Sequence, residues 1–145
     1  MHTDDLLDGW TEPAGFWPRL EEWVLEPLRS GRPGRYRRYD WAQAAFAEWH
    51  DVPVAPVLVI EGVTVARAEV RPELTLSVWI DAPAEIRLVR GIARDGEALR
   101  PQWMRWMAGE EVHVRADRTP ELADVVVDGN PSLEHDPATQ FVQLR

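Results

Sequence analysis

Apolar residues recur at helical spacing in the first part of the chain, and two short segments follow. The helical positions are Phe16, Leu20, Trp23, Val24 and Leu28. They predict a helix over residues 16–29, with a ragged end because Pro27 cannot donate a backbone hydrogen bond. Residues 35–41 and 46–52 predict the two strands of a hairpin. A helix over residues 41–49 is the competing interpretation, since an alanine-rich run favours helix.

Three later runs of apolar residues have no polar face, which is the pattern of strands buried within a parallel sheet. They cover residues 56–60, 74–80 and 123–127. Residues 139–144 predict a last strand at an edge of the sheet. Parallel strands place their carboxyl ends together, and ligands of such sheets bind there.

Helices are predicted between and after these strands. Pro83 and Pro101 each suit a first helical turn, and they open predicted helices over residues 84–94 and from 103 to about 112. Strands that alternate with helices predict an α/β fold with three layers around a parallel sheet. The length of 145 residues suits one domain, residues 1–145.

Composition narrows the possible functions. The chain is 45% hydrophobic and 28% charged, and neither a membrane-spanning run nor a signal peptide is predicted. It contains no Cys, which excludes disulfides, and a cytoplasmic location is expected. The net charge of −9 argues against general binding of nucleic acid. All 16 basic residues are Arg, so an anionic substrate would be held by Arg, backbone N–H groups or a metal ion.

Four acidic residues follow predicted strands and are candidates for a shared site: Asp4, Asp5, Glu61 and Asp81. A carboxylate in such a place can accept the proton of a substrate hydroxyl or hold Mg²⁺. The other interpretation of Asp4 and Asp5 is an exposed acidic N-terminus. For Glu61 it is a strand that stops at a turn.

A predicted helix presents Arg87, Arg90 and Arg94 on one face, because they lie three and four residues apart. The three guanidinium groups repel one another unless anions neutralise them, and a polyphosphate would do so with bidentate hydrogen bonds. The alternative is salt bridging to neighbouring carboxylates, which are Glu85, Asp95 and Glu97.

Five segments carry a further signal. They are HTDDLLDGW (2–10), RYRRYDW (35–41), VLVIEGV (57–63), IRLVRGIARD (86–95) and ADVVVDG (123–129). In this order and spacing they resemble the uridine kinase-like branch of the P-loop nucleoside kinases. The resemblance implies the three-layer parallel sheet of a P-loop NTPase in one kinase-like domain. It also implies ATP-dependent transfer of a phosphoryl group to a nucleoside, with Mg²⁺ as cofactor.

The resemblance assigns roles to individual residues. Asp4 matches the base that takes the proton of the nucleoside 5′-hydroxyl, and Asp5 is the runner-up if the register slips by one. Asp5, Tyr39 and Asp40 are accordingly expected to bind substrate. Glu61 matches a carboxylate associated with Mg²⁺.

The arginines of the 84–94 segment match those of the family's lid helix. Arg90 and Arg94 match groups that stabilise charge on the transferred phosphoryl group, and Arg87 is expected to bind substrate. Two positions depart from the family pattern. A Tyr expected shortly after the catalytic Asp is Leu7, and the usual Arg-Arg pair of the lid is Arg90-Gly91, so the nucleoside is not specified.

A kinase of this type begins with a strand, the Walker A loop G-x-x-x-x-G-K-[ST] and a helix. The sequence contains no such loop. An N-terminal truncation of about 30 residues is therefore expected, judged from the size of such a unit. The sheet would then have exposed edges that favour association, including a homo-oligomer. Residues 1–145 alone are expected not to transfer phosphate from ATP.

Three functions follow as hypotheses. The first is an ATP-dependent nucleoside kinase, and the second is a non-catalytic, decayed kinase that binds a nucleoside or a partner. The third is a Mg²⁺-dependent phosphohydrolase that uses Asp4, Asp5 and Glu61. The expected partner is a nucleoside or nucleotide; nucleic acid and membranes are not expected.

Overall fold

The computed structural model describes residues 1–145, which divide into two compact units, Met1–Val65 and Ala66–Arg145. The first unit contains a 3-10 turn (Thr3–Leu6), α1 (Trp17–Leu20), a π-helical segment (Glu21–Leu25), α2 (Glu26–Arg29), β1 (Gly34–Asp40) and β2 (Ala45–Val52). The second contains β3 (Val78–Asp81), α3 (Ala84–Asp95), α4 (Arg100–Asp117), α5 (Thr119–Leu122), β4 (Val125–Asp128) and 3-10 turns at Arg71–Glu73 and Glu97–Leu99. None of the helices combines the length and apolar character needed to cross a membrane.

The predicted helix over residues 16–29 is confirmed as one helical stretch, but its middle is π-helical. Pro27 has no N–H, so the carbonyl of Trp23 cannot receive the usual bond from four residues ahead. The N–H of Glu26 instead donates to the carbonyl of Glu21, five residues back. The widened turn keeps the helix continuous past the proline.

The hairpin prediction is confirmed, and the competing helix over residues 41–49 is wrong. β1 and β2 are antiparallel, and Asp40 closes the turn by accepting hydrogen bonds from the N–H groups of Ala42 (3.0 Å) and Gln43 (2.9 Å). The register of the pair shifts between Arg37 and Tyr39. This irregularity brings two tyrosines three residues apart, at positions 36 and 39, to the buried face of β1.

Residues 56–60, which the sequence predicts as a buried strand, do not form one. Val59 is 69% exposed. The segment pairs only with the first residues of the chain, where the Thr3 N–H donates to the Glu61 carbonyl and the Glu61 N–H donates to the Met1 carbonyl, each at 3.0 Å. A buried strand needs a neighbouring strand along each edge. Within this unit, residues 56–60 have a neighbour along one edge, and that neighbour is short.

The other two apolar runs pair in parallel, as predicted. Val78 lies opposite Val125 and Asp81 opposite Asp128. The end of the chain runs antiparallel along the other edge of β4, where the Asp128 N–H donates to the Val142 carbonyl at 2.8 Å. The protein thus has a mixed α/β fold with two two-stranded sheets, and neither unit contains the predicted continuous three-layer sheet.

Candidate active site

The 3-10 turn at Thr3–Leu6 carries the two candidate carboxylates. Its apolar residues point inward, since Leu6 and the following Leu7 are fully buried. Asp4 is exposed and Asp5 is half-buried. The leucines therefore anchor a turn whose acidic side lies at the surface of the first unit.

Three consecutive residues of this turn accept hydrogen bonds from side chains of the surrounding unit. Trp41 Nε1–H donates to the Asp4 carbonyl (3.3 Å). The Tyr36 hydroxyl donates to Asp5 Oδ2 (3.1 Å). Arg19 Nη1–H donates to the carbonyl of the next residue, Leu6 (3.0 Å). Helix α1 and the hairpin together fix the position of the aspartate pair.

Tyr36 is the buried member of this arrangement, with 8% of its surface exposed. Burial raises its pKa to about 12, and the charge of Asp5 and the hydrogen bond to it act in the same direction. Tyr36 is consequently a neutral donor at ordinary pH, and Asp5 is its acceptor.

Tyr39, predicted to bind substrate, lies close to the same turn but is 7% exposed. Its ring meets the rings of Trp41 and Phe46 edge-on, with centroids 5.3 Å away in both cases. A Cβ on Gly9 would lie 3.4 Å from its hydroxyl, so the loop after the turn passes directly over it. Tyr39 is therefore largely covered, and its neighbour Trp41 is the residue that contacts the Asp4 backbone.

Asp40, the other predicted pocket residue, is engaged in the hairpin turn. Besides the two backbone N–H groups of that turn, it accepts a hydrogen bond from Arg38 Nη2–H at 3.3 Å. These bonds lower the pKa of Asp40, and the bond from the Gln43 N–H has the largest effect. The carboxylate has a structural role here, and its contact with a nucleoside stays a prediction.

Glu61 lies beside the aspartate turn because its backbone pairs with Met1 and Thr3. Its side chain is exposed and contacts His2 Nδ1. No three acidic or histidine side chains are grouped so that they could hold a metal ion. An exposed carboxylate does suit a hydrated Mg²⁺ that is held mainly by substrate phosphates.

The predicted lid arginines all lie on α3 in the second unit. Arg87 Nη1–H donates to Glu110 Oε2 on α4 at 2.5 Å. Arg90 donates to the Gly129 carbonyl (2.7 Å) and to Asn130 Oδ1 (2.9 Å), in the turn after β4. These contacts tie α3 both to α4 and to the end of the parallel sheet.

Arg94 is paired within its own helix. It makes a two-pronged contact with Asp95, at 2.7 and 3.0 Å, and its guanidinium lies 5.6 Å from the ring centre of Trp103. Hydrogen bonding from Arg94 lowers the pKa of Asp95. The salt-bridge interpretation therefore holds for Asp95, whereas Glu97 pairs with Arg100.

The departure of Gly91 from the family's Arg-Arg pattern has a packing reason. A Cβ at Gly91 would lie 2.5 Å from Cε2 of Trp103. The indole of Trp103 therefore occupies the space of a side chain at position 91, and its Nε1–H donates to Asp95 at 3.0 Å. A second arginine cannot be placed there while α3 and α4 pack in this way.

The structure brings some of the candidates together and not others. Asp4, Asp5, Tyr39 and Glu61 lie within the first unit around one turn. Asp81, the fourth acidic candidate, ends β3 in the second unit and accepts a hydrogen bond from Trp79 Nε1–H at 3.2 Å. No individual role was predicted for Tyr36 or Trp41, although both fall within the RYRRYDW segment.

Comparison with known proteins identifies the family of the chain. The sequence pattern of the Phosphoribulokinase / Uridine kinase family matches residues 12–100, more than half of the chain. The chain belongs to this family. The match includes Glu61 and the arginines of α3, and begins after Asp4 and Asp5.

A uridine kinase of Deinococcus deserti is 30% identical over 133 residues, which cover 84% of this chain and 63% of that protein. The chain thus spans less than two thirds of the length of this relative. No solved structure matches.

Proposed function

We propose that the chain acts in ATP-dependent phosphoryl transfer to a nucleoside, with Asp4 as the base. One observation carries the choice of residue: the turn Thr3–Leu6 exposes Asp4 while Asp5 receives the hydroxyl of Tyr36. A base must reach the substrate hydroxyl within hydrogen-bond distance, so the exposed carboxylate of Asp4 is favoured over the half-buried one of Asp5. Family membership supports the nucleoside kinase assignment.

The proposed reaction is a direct displacement. The oxygen of the nucleoside 5′-hydroxyl bonds to the γ-phosphorus as the bond to the β–γ bridging oxygen breaks. The hydroxyl proton passes to the Asp4 carboxylate, and ADP leaves. Asp4 serves this step because it is held at a fixed place on a turn anchored by buried leucines.

The remaining roles are part of the same proposal. Tyr39 and Asp40 line the nucleoside side, and Arg87 contributes to substrate binding. Arg90 and Arg94 stabilise the charge of the phosphoryl group, for which each must exchange an intrachain partner for phosphate oxygens. Mg²⁺, when bound, neutralises phosphate charge, and Glu61 is the residue that would hold it.

The architecture proposed for the working enzyme is the three-layer parallel sheet of a P-loop NTPase in one kinase-like domain. Residues 1–145 contain neither a Walker A loop nor any Lys, so they lack the usual cradle for the β and γ phosphates. The arginines of α3 already have partners, and the net charge of −9 opposes a polyphosphate. Residues 1–145 alone are therefore inactive in this proposal.

The test compares two proteins in the presence of radiolabelled ATP, Mg²⁺ and either uridine or cytidine. The first is residues 1–145, and the second is a fusion in which a Walker A strand–loop–helix unit of the family precedes Met1. We expect labelled nucleoside monophosphate from the fusion and none from residues 1–145. Product from residues 1–145 would refute the need for the loop. A folded fusion that phosphorylates none of the common nucleosides would refute the kinase assignment.

A second candidate function is a nucleoside-binding protein without catalysis. The observation in its favour is that Arg87, Arg90 and Arg94 all bind groups of the chain itself. Calorimetric titration of residues 1–145 and of the fusion with uridine separates the two. Binding by both proteins with no turnover by the fusion supports the binding role.

A further inference from the structure

The hairpin contributes a residue, Tyr36, for which no individual role was predicted from the sequence. We infer that Tyr36 is a positioning residue for the proposed reaction: it fixes the carboxylate of Asp5, and so orients the turn from which Asp4 reaches the nucleoside hydroxyl. The inference rests on the proposed function, since it concerns how the proposed base is held.

Tyr36 is itself rigidly held. It lies in β1 directly opposite His50 of β2, and the two rings stack with centroids 5.4 Å apart and planes 21° apart. His50 in turn contacts Glu48 at 3.1 Å, and Glu48 pairs with Arg38 of β1. Cross-strand pairs of this kind set the direction of the ring, so the hydroxyl has little freedom.

The hydroxyl of a buried tyrosine needs a partner, because an unpaired polar group away from water is costly. Asp5 provides it, at 3.1 Å. The bond affects both residues. It gives the buried phenol an acceptor, and it fixes the position of a half-buried carboxylate on a short turn.

This bond differs from the other two that hold the turn. Trp41 and Arg19 bind backbone carbonyls, those of Asp4 and Leu6, and thereby locate the chain. Tyr36 binds a side chain between them. The two carboxylates are adjacent, so an unrestrained Asp5 could turn towards the substrate hydroxyl and repel Asp4. We conclude that Tyr36 keeps the two carboxylates in different roles.

The first test uses the fusion described above and the variant Tyr36→Phe, which keeps the ring and removes the hydroxyl. We expect kcat to fall by about tenfold to a hundredfold, while KM for the nucleoside changes by less than about twofold, because orientation of the base matters in the chemical step. Trp49→Phe is the matched control. Trp49 is an exposed aromatic residue of β2 that packs against Trp23 and Arg35, and its truncation should leave both constants unchanged.

A double-mutant cycle distinguishes positioning from general loosening of the hairpin. If the hydroxyl acts through Asp5, then Tyr36→Phe added to Asp5→Ala should lower kcat by much less than the product of the two single effects, because alanine offers the hydroxyl no acceptor. Additive losses in kcat, or a rise in KM with unchanged kcat, would overturn the inference. A nearly normal kcat in Tyr36→Phe would overturn it too, while leaving the kinase proposal intact.

A readout without turnover uses residues 1–145 directly. The chain has two tyrosines, so in a Tyr39→Phe background the absorbance of the tyrosinate reports Tyr36 alone across a pH titration. Asp5 raises the pKa of Tyr36, whereas the charge of Arg38 lowers it. The titration is therefore repeated in Asp5→Asn with Arg38 unchanged, so that only the effect of Asp5 is removed. We expect the transition of Tyr36 to move to lower pH in that variant. An unmoved transition would show that the bond is absent in solution and would overturn the inference, whether or not the fusion is active.

Discussion

The side chain of Thr3 occupies the space in which a Cβ on Gly62 would lie. An ideal Cβ at Gly62 would overlap the Thr3 hydroxyl, and Gly62 has a φ of +144°. This close approach allows the first three residues to run beside residues 59–61, and it therefore brings Asp4 next to Glu61.

Replacing Gly62 with Ala should separate these two segments. The clash and the positive φ together should lower the free energy of unfolding by about 2–4 kcal/mol. Chemical denaturation measures the loss. Gly96→Ala is the matched control, because Gly96 also has a positive φ beyond the left-handed helical region (+99°) but no atom lies within 4 Å of an added Cβ, so it reports backbone strain without a clash. Equal losses in the two variants would show that contact with Thr3 does not matter.

The packing of α3 on α4 predicts a second sensitive glycine. Gly91→Ala should lower the free energy of unfolding by about 1–3 kcal/mol, since the new Cβ meets the Trp103 ring at 2.5 Å. The loss should shrink when Trp103→Leu is added, because the smaller side chain leaves room for the methyl group. Fully additive losses would contradict the proposed contact.

Stability should fall at high pH through Tyr36. Its pKa is about 12 in the folded protein against an ordinary value of 10.0, so the folded state favours the protonated phenol. The stabilisation is complete below about pH 10 and is lost as the pH rises through 12. The denaturant concentration at the unfolding midpoint, measured between pH 9 and 12, should therefore fall less steeply with pH in Tyr36→Phe than in the unchanged protein. Identical slopes would contradict the buried environment of Tyr36.

The proposed role of Arg90 predicts a large effect on rate. In the active fusion, Arg90→Ala should lower kcat by on the order of 10³-fold if the guanidinium stabilises the phosphoryl group. Arg115→Ala is the control, because Arg115 forms an exposed pair with Glu111 one turn away on α4 and should change stability by less than about 1 kcal/mol. Near-normal turnover in Arg90→Ala would show that Arg90 has only a structural role, through its contacts with Gly129 and Asn130.

Local pattern predicted the elements whose stabilising contacts lie nearby in the sequence. The helix α3 begins after Pro83 as expected, and the hairpin forms where residues 35–41 and 46–52 were predicted to pair. One long-range pairing, the parallel one of β3 and β4, was also predicted, because the runs that contain these strands are mostly apolar.

Other features that depend on distant partners could not be predicted. The run at residues 56–60 has the composition of a buried strand, but its partner within the unit is only Met1–Thr3. The bond between Tyr36 and Asp5 joins residues 31 positions apart in the sequence, and no local pattern indicates it. The sequence shows Gly91 only as a departure from a family pattern. Its reason, the close contact with Trp103 twelve residues later, is visible only in the structure.

The proposed mechanism depends most directly on Asp4, rather than Asp5, being the base. The measurement is kcat of the fusion carrying Asp4→Asn compared with that of the fusion carrying Asp5→Asn, with uridine as substrate. The account predicts a loss of about 10²–10⁴-fold for Asp4→Asn, with little change in KM, and a clearly smaller loss for Asp5→Asn. A nearly normal kcat in Asp4→Asn, or the larger loss in Asp5→Asn, would contradict it.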